Sequence, residues 1–344
     1  MQDPAALSSG ATGGRGAARE RMERLVPPVI GGLLLLITLL GLIGTAIRDP
    51  RPHDIEVGLV GPAPAVQQMS TAFAANAPRV FEFTSYSSEA AARSALDSRE
   101  VDGVLVLGPA PLLILAGAAG DATTGVITAA FTNVFKAQGA TINVEVVHPF
   151  AKGDAHGLIL FFVVVATIIA TFVAQALLFA TATDAGLGAR LTVALVFAVL
   201  AGLLGMGTAA WIAGDYGPGF WAAAGLLMLA SGAVGAAVAG SARLLGAPGL
   251  GLAALVVVLL DLVSSGGPVG SQLLPDFYRW LAPWMPAGPL YDGLRGALYF
   301  DGAGLAGPLA VLSGWLIGGI ALLGLGEIVS RRRHSGAATI VPAA

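Results

Sequence analysis

The sequence predicts an α-helical polytopic membrane protein of six spans, with an extracellular α/β domain inserted between the first and second spans. Of 344 residues 56% are hydrophobic and only 11% charged, whereas soluble domains carry about 25% charged residues. Mean hydropathy is +0.80. Six apolar runs approach the roughly 20 residues that a bilayer core requires of a helix. Between the first two of them lies a long stretch of different character, rich in short, strand-length runs.

Residues 1–28 form an N-terminal tail with Arg15, Arg19, Arg21 and Arg24, and the first apolar run is Val29–Ile47. Gly44 and Ala46 are small residues at the spacing of a signal-peptidase site, so a cleaved signal peptide is one reading. The run exceeds the roughly 7–15-residue apolar core of such peptides. With 28 residues ahead of it, an uncleaved signal anchor fits better.

Residues 48–156 hold more than half of the 21 acidic side chains. Ile55–Val60, Val80–Tyr86, Val101–Leu107, Leu112–Ala116 and Thr141–His148 have strand patterning, while 65–77, 88–98 and 121–138 have helical spacing, with Ser88 as a helix start. Strands alternating with helices of this length predict a small, water-exposed α/β sheet domain.

Residues 157–263 contain four further runs: Gly157–Ala180, Leu191–Ala213, Phe220–Gly240 and the short Pro248–Val263, which includes Asp261. The sixth span is Ala303–Gly326, within 303–326, and 327–344 form a tail with Arg331, Arg332 and Arg333. Cytoplasmic flanks collect positive charge. With both termini inside, the loops bearing Arg190 and Arg243 are cytoplasmic and the loop bearing only Asp215 is not, so 48–156 and 264–302 lie outside. Gly232-Ala236-Gly240 and Gly314-Gly318 place small residues four apart, which either brings helices close or follows from the abundance of Gly.

Residues 264–302 hold seven of the 24 aromatic side chains: Phe277, Tyr278, Trp280, Trp284, Tyr291, Tyr299 and Phe300. Trp and Tyr favour the headgroup level. Five prolines break the segment into pieces, with helices expected at Leu273–Leu281 and Pro289–Phe300. The segment reads either as an interfacial anchor or as a re-entrant external gate covered by protein. Asp261 has two readings as well: a proton or ion relay, or a hydrated helix end near the external face.

Several function classes are excluded or disfavoured. A net charge of −3 offers no basic excess for a phosphate backbone, so nucleic acid is not an expected partner. Zero Cys removes disulfides, thiol nucleophiles and zinc–thiolate sites. Neither Lys136 nor Lys152 follows a Gly, so no phosphate loop ending Gly-Lys-Ser/Thr is present. His148-x5-Asp154-x-His156 is the nearest approach to a metal-ligand cluster, and exposed residues at a domain boundary explain it more simply. No convergent set of catalytic residues and no cofactor site is expected.

The span order resembles the permease subunits of ABC type-2 exporters, and more closely the phage-infection-protein (Pip-like) membrane proteins, over about residues 48–326. Local matches are Val101-Asp-Gly-Val-Leu-Val-Leu107, His148-Pro-Phe-x-x-Gly-Asp154-x-x-Gly157, and Ser264-Ser265-Gly266-Gly267 followed by Leu273-Leu-Pro-x-Phe277 and Trp284-x-Pro286. Pip-like members carry Asn-Pro where this chain has Leu262 and Val263. The place of the ATPase-contacting helix of coupled permeases holds only the short 181–190 stretch. The resemblance implies a permease without a nucleotide-binding domain of its own, in a bacterial plasma membrane, working as a homodimer. A separate ATPase would dock at the cytoplasmic loops bearing Asp184, Arg190 and Arg243. Ser264, Ser265, Gly266, Gly267, Trp280, Trp284 and Pro286 would form the external gate. It equally allows a surface receptor or secretion scaffold whose extracellular domain binds a partner.

Overall fold

The computed structural model describes residues 26, 30–46, 48, 50–182 and 186–338, except the side chains of 330–338. The tail arginines at 15, 19, 21 and 24, Asp184, and the side chains of Arg331, Arg332 and Arg333 lie outside the described residues. The chain divides into two compact units, Met1–Arg48 and Asp49–Ala344. The first contains helix α1 (Ile30–Ala46), apolar but short, with Leu33, Leu34, Leu35 and Leu36 exposed.

In the second unit the acidic stretch folds as a five-stranded mixed sheet. Its elements are β1 (Ile55–Val60), α2 (Ala63–Asn76), β2 (Phe81–Tyr86), α3 (Glu89–Asp97), β3 (Gly103–Val106), β4 (Leu112–Ala116), α4 (Asp121–Ala137) and β5 (Asn143–Val147). The strand order is β2-β1-β3-β4-β5, parallel except for the β3–β4 hairpin. Alternation of side chains divides the sheet's apolar residues between two cores. Val57, Leu59, Leu105, Leu113 and Leu115 pack under Phe73 of α2 and Phe131 of α4, where Phe73, Phe81, Phe83 and Phe131 form a ring cluster. Val60, Val104, Ile114 and Ala116 pack under Ala92, Ala95 and Leu96 of α3. Ser88 caps α3 by accepting the Ala91 amide at 3.2 Å, which satisfies one of the amides that a helix start leaves open.

Among the described residues of this unit, five helical segments are long and apolar enough to cross a membrane, by length and composition: Leu158–Thr181, Leu187–Ala213, Gly217–Leu245, Ala247–Val269 and Ala306–Val329. The chain is therefore a multi-pass membrane protein. They contain α5 (Leu158–Thr181), α6 (Leu187–Ala213) and α7 (Phe220–Leu245). The fourth is composite: α8 (Ala247–Ala253), π-helical turns over Ala254–Leu260, and α9 (Asp261–Ser264). The last belongs to α12 (Ala306–Ala338). Central α7 packs against α5, α6 and α12. Its buried face is rich in Ala and Gly, which lets backbones approach where lipid offers no hydrophobic drive for association.

The small-residue expectation needs correcting on α12. Gly314 and Gly318 have nothing within 4 Å of a would-be Cβ; the close approach is at Gly319, where a Cβ would meet Ala237 N at 2.5 Å, and opposite it at Gly240, where one would meet Leu322 Cβ at 2.7 Å. Gly318 and Gly319 are about 100° apart on a helix, so the expected pair lies on the wrong face.

Between α9 and α12 the chain forms 3₁₀ turns at Gly267–Val269 and Ser271–Leu273, then α10 (Asp276–Leu281) and α11 (Ala287–Tyr299). The helix expected from Leu273 starts at Asp276, because Pro275 lacks the amide a continuing helix needs and sits at the N-cap. The second starts ahead of Pro289, which is tolerated in a first turn. Phe277, Trp280 and Trp284 face outward, whereas Tyr291, Leu294 and Ala297 of α11 are buried. α11 packs against α5, α7, α9 and α12.

Candidate functional site

Three arrangements on this scaffold involve the residues singled out from sequence. The first surrounds Asp261. Its side chain is fully buried, 0% exposed, and not a hydrated helix end. Oδ1 accepts the Ala287 amide at 2.8 Å, at the start of α11, just after Pro286. Oδ2 is buried and has no hydrogen-bond partner among the described residues. Ser264 Oγ donates to the Asp261 carbonyl at 3.1 Å and Ser265 Oγ to the Leu262 carbonyl at 2.7 Å. Ser265 Oγ also accepts the Gly267 amide at 3.2 Å. Gly266 and Gly267 adopt φ of 72° and 49°, and a Cβ on Gly267 would meet the Phe161 ring of α5 at 2.9 Å. The Ser-Ser-Gly-Gly run is thus a helix stop that reverses the chain against α5. Trp280 and Trp284 are 65% and 64% exposed, so their side chains do not join this cluster; Trp284 contributes its carbonyl, which accepts Trp315 Nε1 at 2.7 Å. Ser265 and Gly267 also line a cavity of about 610 Å³ with Arg279, Tyr291, Asp292 and Arg295.

The second arrangement fastens the α/β domain to α11 and its flanks. Arg99, in the turn after α3, pairs with the Asp292 carboxylate and donates to the Asp292 carbonyl at 3.2 Å. Its guanidinium lies 5.1 Å from the Phe300 ring centroid. Gly296 and Gly304 leave room for it, since a Cβ on either would lie 3.0 Å from Arg99 Nη1. Arg295 bonds Asp292 and the Ala119 carbonyl, and Arg279 reaches Asp54 at 2.7 Å. Gln272 donates to Asp102 at 2.9 Å and accepts from Thr123 at 3.0 Å, while its carbonyl accepts the His53 amide at 3.0 Å. Phe300 belongs to the α3-side core of the sheet. Burial alone would raise the Asp292 carboxyl, but Arg295 and Arg99 outweigh it and hold the group below the ordinary carboxylate value. Asp102 is pushed above its ordinary value by burial, despite the Gln272 bond and the charge of Arg295.

The third is a groove of about 960 Å³ between α5, α6, α7 and α12, floored by Gly232, Gly235 and Ala236. Gln175 lines it in an otherwise apolar stretch. Thr171 of α5 bonds Ser231 of α7 at 2.9 Å nearby. Arg190 and Arg243, expected in separate loops, instead line this same groove, because α6 begins before Arg190 and α7 continues past Arg243. Arg190 donates to the Ala182 carbonyl, and Arg243 pairs with Glu327 of α12 at 2.9 Å.

The His148–Asp154–His156 run separates into three roles. His148 pairs with Asp97 at 2.7 Å and lies against Phe300, ring centroids 4.8 Å apart. Asp154 caps α5, accepting the amides of Ile159 at 2.9 Å and Leu160 at 3.2 Å. His156 pairs with Asp121. Among the described residues no three His, Asp or Glu are placed to hold a metal ion.

Sequence reading missed Arg99, Gln272, Asp292 and Arg295. The Asp292-x-x-Arg295 spacing, a helical ion pair, was the one local signal available. No family model, curated protein or solved structure matches the chain.

Proposed function

We propose that this chain is the membrane permease subunit of an exporter similar to the ABC type-2 systems. In this reading it sits in a bacterial plasma membrane as a homodimer, with α1 as a sixth span, both termini cytoplasmic and the α/β domain extracellular. The observation that supports it best is the groove between α5, α6, α7 and α12, apolar except for Gln175 and the two arginines. Such a groove suits an amphiphilic cargo, since apolar walls with a few polar groups are how ligand sites bind and orient. With no phosphate loop in the sequence, ATP-driven work falls to a separate subunit, for which the neighbourhood of Arg190 and Arg243 is the docking place.

The test is gentle purification of the full-length protein from its native membrane, followed by mass spectrometry of co-purifying proteins and efflux assays with a groove-filling variant. Gly232 lines the groove and has only Leu316 Cδ1, at 3.7 Å, within 4 Å of a would-be Cβ, so Gly232→Leu obstructs the groove. A co-purifying ATPase and lost efflux are expected. Unchanged efflux of every lipid, drug and polymer tested, with no ATPase recovered, refutes the reading.

A second reading, a receptor or secretion scaffold, draws on β5. This edge strand leaves Val144 and Val146 45% and 56% exposed, and an unguarded edge is a template for a partner strand. It predicts that Val146→Lys removes an extracellular or secretion partner from the co-purified set while efflux is untouched.

A further inference from the structure

Asp261 lies within an apolar, membrane-competent segment, where an ionised carboxyl is costly, so that such residues are rare and mark functional sites. Glu327, in the last such segment, is paired with Arg243; among the described residues Asp261 has no cationic partner. Among the described residues its side chain is bonded by the Ala287 amide alone, and its other oxygen is buried without a donor.

The cations on the neighbouring elements are engaged elsewhere. α5 and the turns Ala254–Leu260 carry no charged residue. α10 carries Asp276, Tyr278 and Arg279, and Arg279 is engaged with Asp54 and Asp276. α11 carries Tyr291, Asp292, Arg295 and Tyr299. Tyr291 donates to the Gly157 carbonyl at 3.2 Å, Asp292 and Arg295 belong to the Arg99 network, and Tyr299 accepts the Ala151 amide.

Each protonation state therefore leaves a different need unmet. Ionised, Asp261 makes a charge-assisted bond to the positive end of α11, but Oδ2 carries charge with no donor. Protonated, it sheds the charge and holds the Ala287 amide less strongly. The segment just before it is π-helical over Ala254–Leu260, a geometry that is rare and recurs at functional sites, and the glycine stop follows five residues later. Local backbone on both sides of Asp261 is thus irregular and able to adjust.

We propose that Asp261 is a proton-binding site, and that proton uptake there loosens the contact between α9 and the N-terminus of α11. Because α11 also carries the socket for Arg99, a proton bound among the membrane-competent helices acts on the element that holds the α/β domain. The site stands on the surroundings of Asp261 and does not depend on the permease reading.

The test uses the full-length protein in detergent or lipid vesicles. Dicyclohexylcarbodiimide, which reacts with protonated carboxyls in apolar surroundings, is expected to leave an adduct at Asp261 by peptide mass spectrometry, declining as pH rises and absent in Asp261→Asn. In parallel, hydrogen exchange of the Ala287 amide, corrected for the chemical rate, is expected to quicken about fivefold as pH falls, the difference between a charged and a neutral acceptor. That response should be flat in Asp261→Asn. No adduct at Asp261 at any pH, an adduct displaced by sodium at constant pH, or amide protection independent of pH overturns the proposal, the second by assigning the site to a metal ion. If Asp261→Asn does not fold, the wild-type labelling and exchange series decide alone.

Discussion

Replacing Arg99 with Ala should weaken the hold of α11 on the α/β domain. The substitution keeps a Cβ at a residue whose φ is 63°, so backbone strain is unchanged and the difference reports on the guanidinium. Arg99 contributes an ion-paired hydrogen bond to Asp292, and a hydrogen bond to a charged group is worth about 1.5–3 kcal/mol. The stacking over Phe300 at 5.1 Å adds about 0.5–1 kcal/mol. The side chain of Asp292 is 38% exposed and retains Arg295, so solvent and the second arginine offset part of this. A loss of about 2–3 kcal/mol follows, or roughly thirty- to two-hundred-fold in the docking equilibrium. Native-state hydrogen exchange on the full-length protein reads it: amides at the C-terminal end of α11 should speed up by that factor, while amides under the phenylalanine cluster of α2 and α4 should not. Arg99→Lys, which keeps the charge without the planar fork, should fall between. If Arg99→Ala leaves exchange across Gly296–Phe300 unchanged, the domain is held by other contacts and the socket argument is wrong.

Three further outcomes are expected. Gly319→Ala should destabilise the α7–α12 packing by about 1–3 kcal/mol through overpacking, whereas Gly318→Ala should stay within about 0.5 kcal/mol; equal effects on thermal unfolding would place α12 on a different face. Asp154→Ala removes the acceptor for two first-turn amides of α5, at a cost of about 1–2 kcal/mol, detectable as faster exchange at Ile159 and Leu160 only. Burial raises Asp102, and burial together with the Asp102 charge raises Glu56. Raised carboxyls bind more protons folded than unfolded, so their contribution to stability grows as pH falls from about 7 toward the ordinary carboxylate value near 4, and is lost as pH rises through their folded values. Asp292 and Glu145 are lowered and oppose this only below the ordinary range. The melting temperature should therefore rise on mild acidification, less steeply in Asp102→Asn; identical slopes would remove Asp102 from the account.

The sheet domain was legible because its strands are short, bounded by turn residues and joined by close neighbours in sequence, so local patterning carried β1 to β5 to within a few residues. The five long apolar segments were legible for the same reason. What patterning could not supply was the rotation of each helix about its axis. Apolar residues surround α12 on all sides, so nothing local distinguishes Gly318 from Gly319. Only the position of α7 does, and that follows from packing among several helices at once.

The functional candidates divide along the same line. Ser264, Ser265, Gly266 and Gly267 stood out because Ser and Gly have strong local conformational preferences, and their role is local: they end a helix. Trp280 and Trp284 stood out as interfacial residues and sit at the surface. Arg99 gave no such signal, since an arginine between Ser98 and Glu100 has the composition of a solvated turn. Its partner Asp292 lies far away in sequence, and the glycines that admit it, Gly296 and Gly304, are unremarkable among 48. Asp261 is intermediate: its presence in an apolar run marks it at once, but whether it is hydrated or enclosed depends on where α11 begins. Pro286 and Ala287 decide that by placing a free helical amide 2.8 Å from one carboxylate oxygen, with no donor among the described residues for the other. Where two readings of a residue differ only in what an element distant in sequence brings to it, composition cannot choose between them; enclosure here moves Asp261 from a tolerated end charge to a group whose protonation acts on its neighbour.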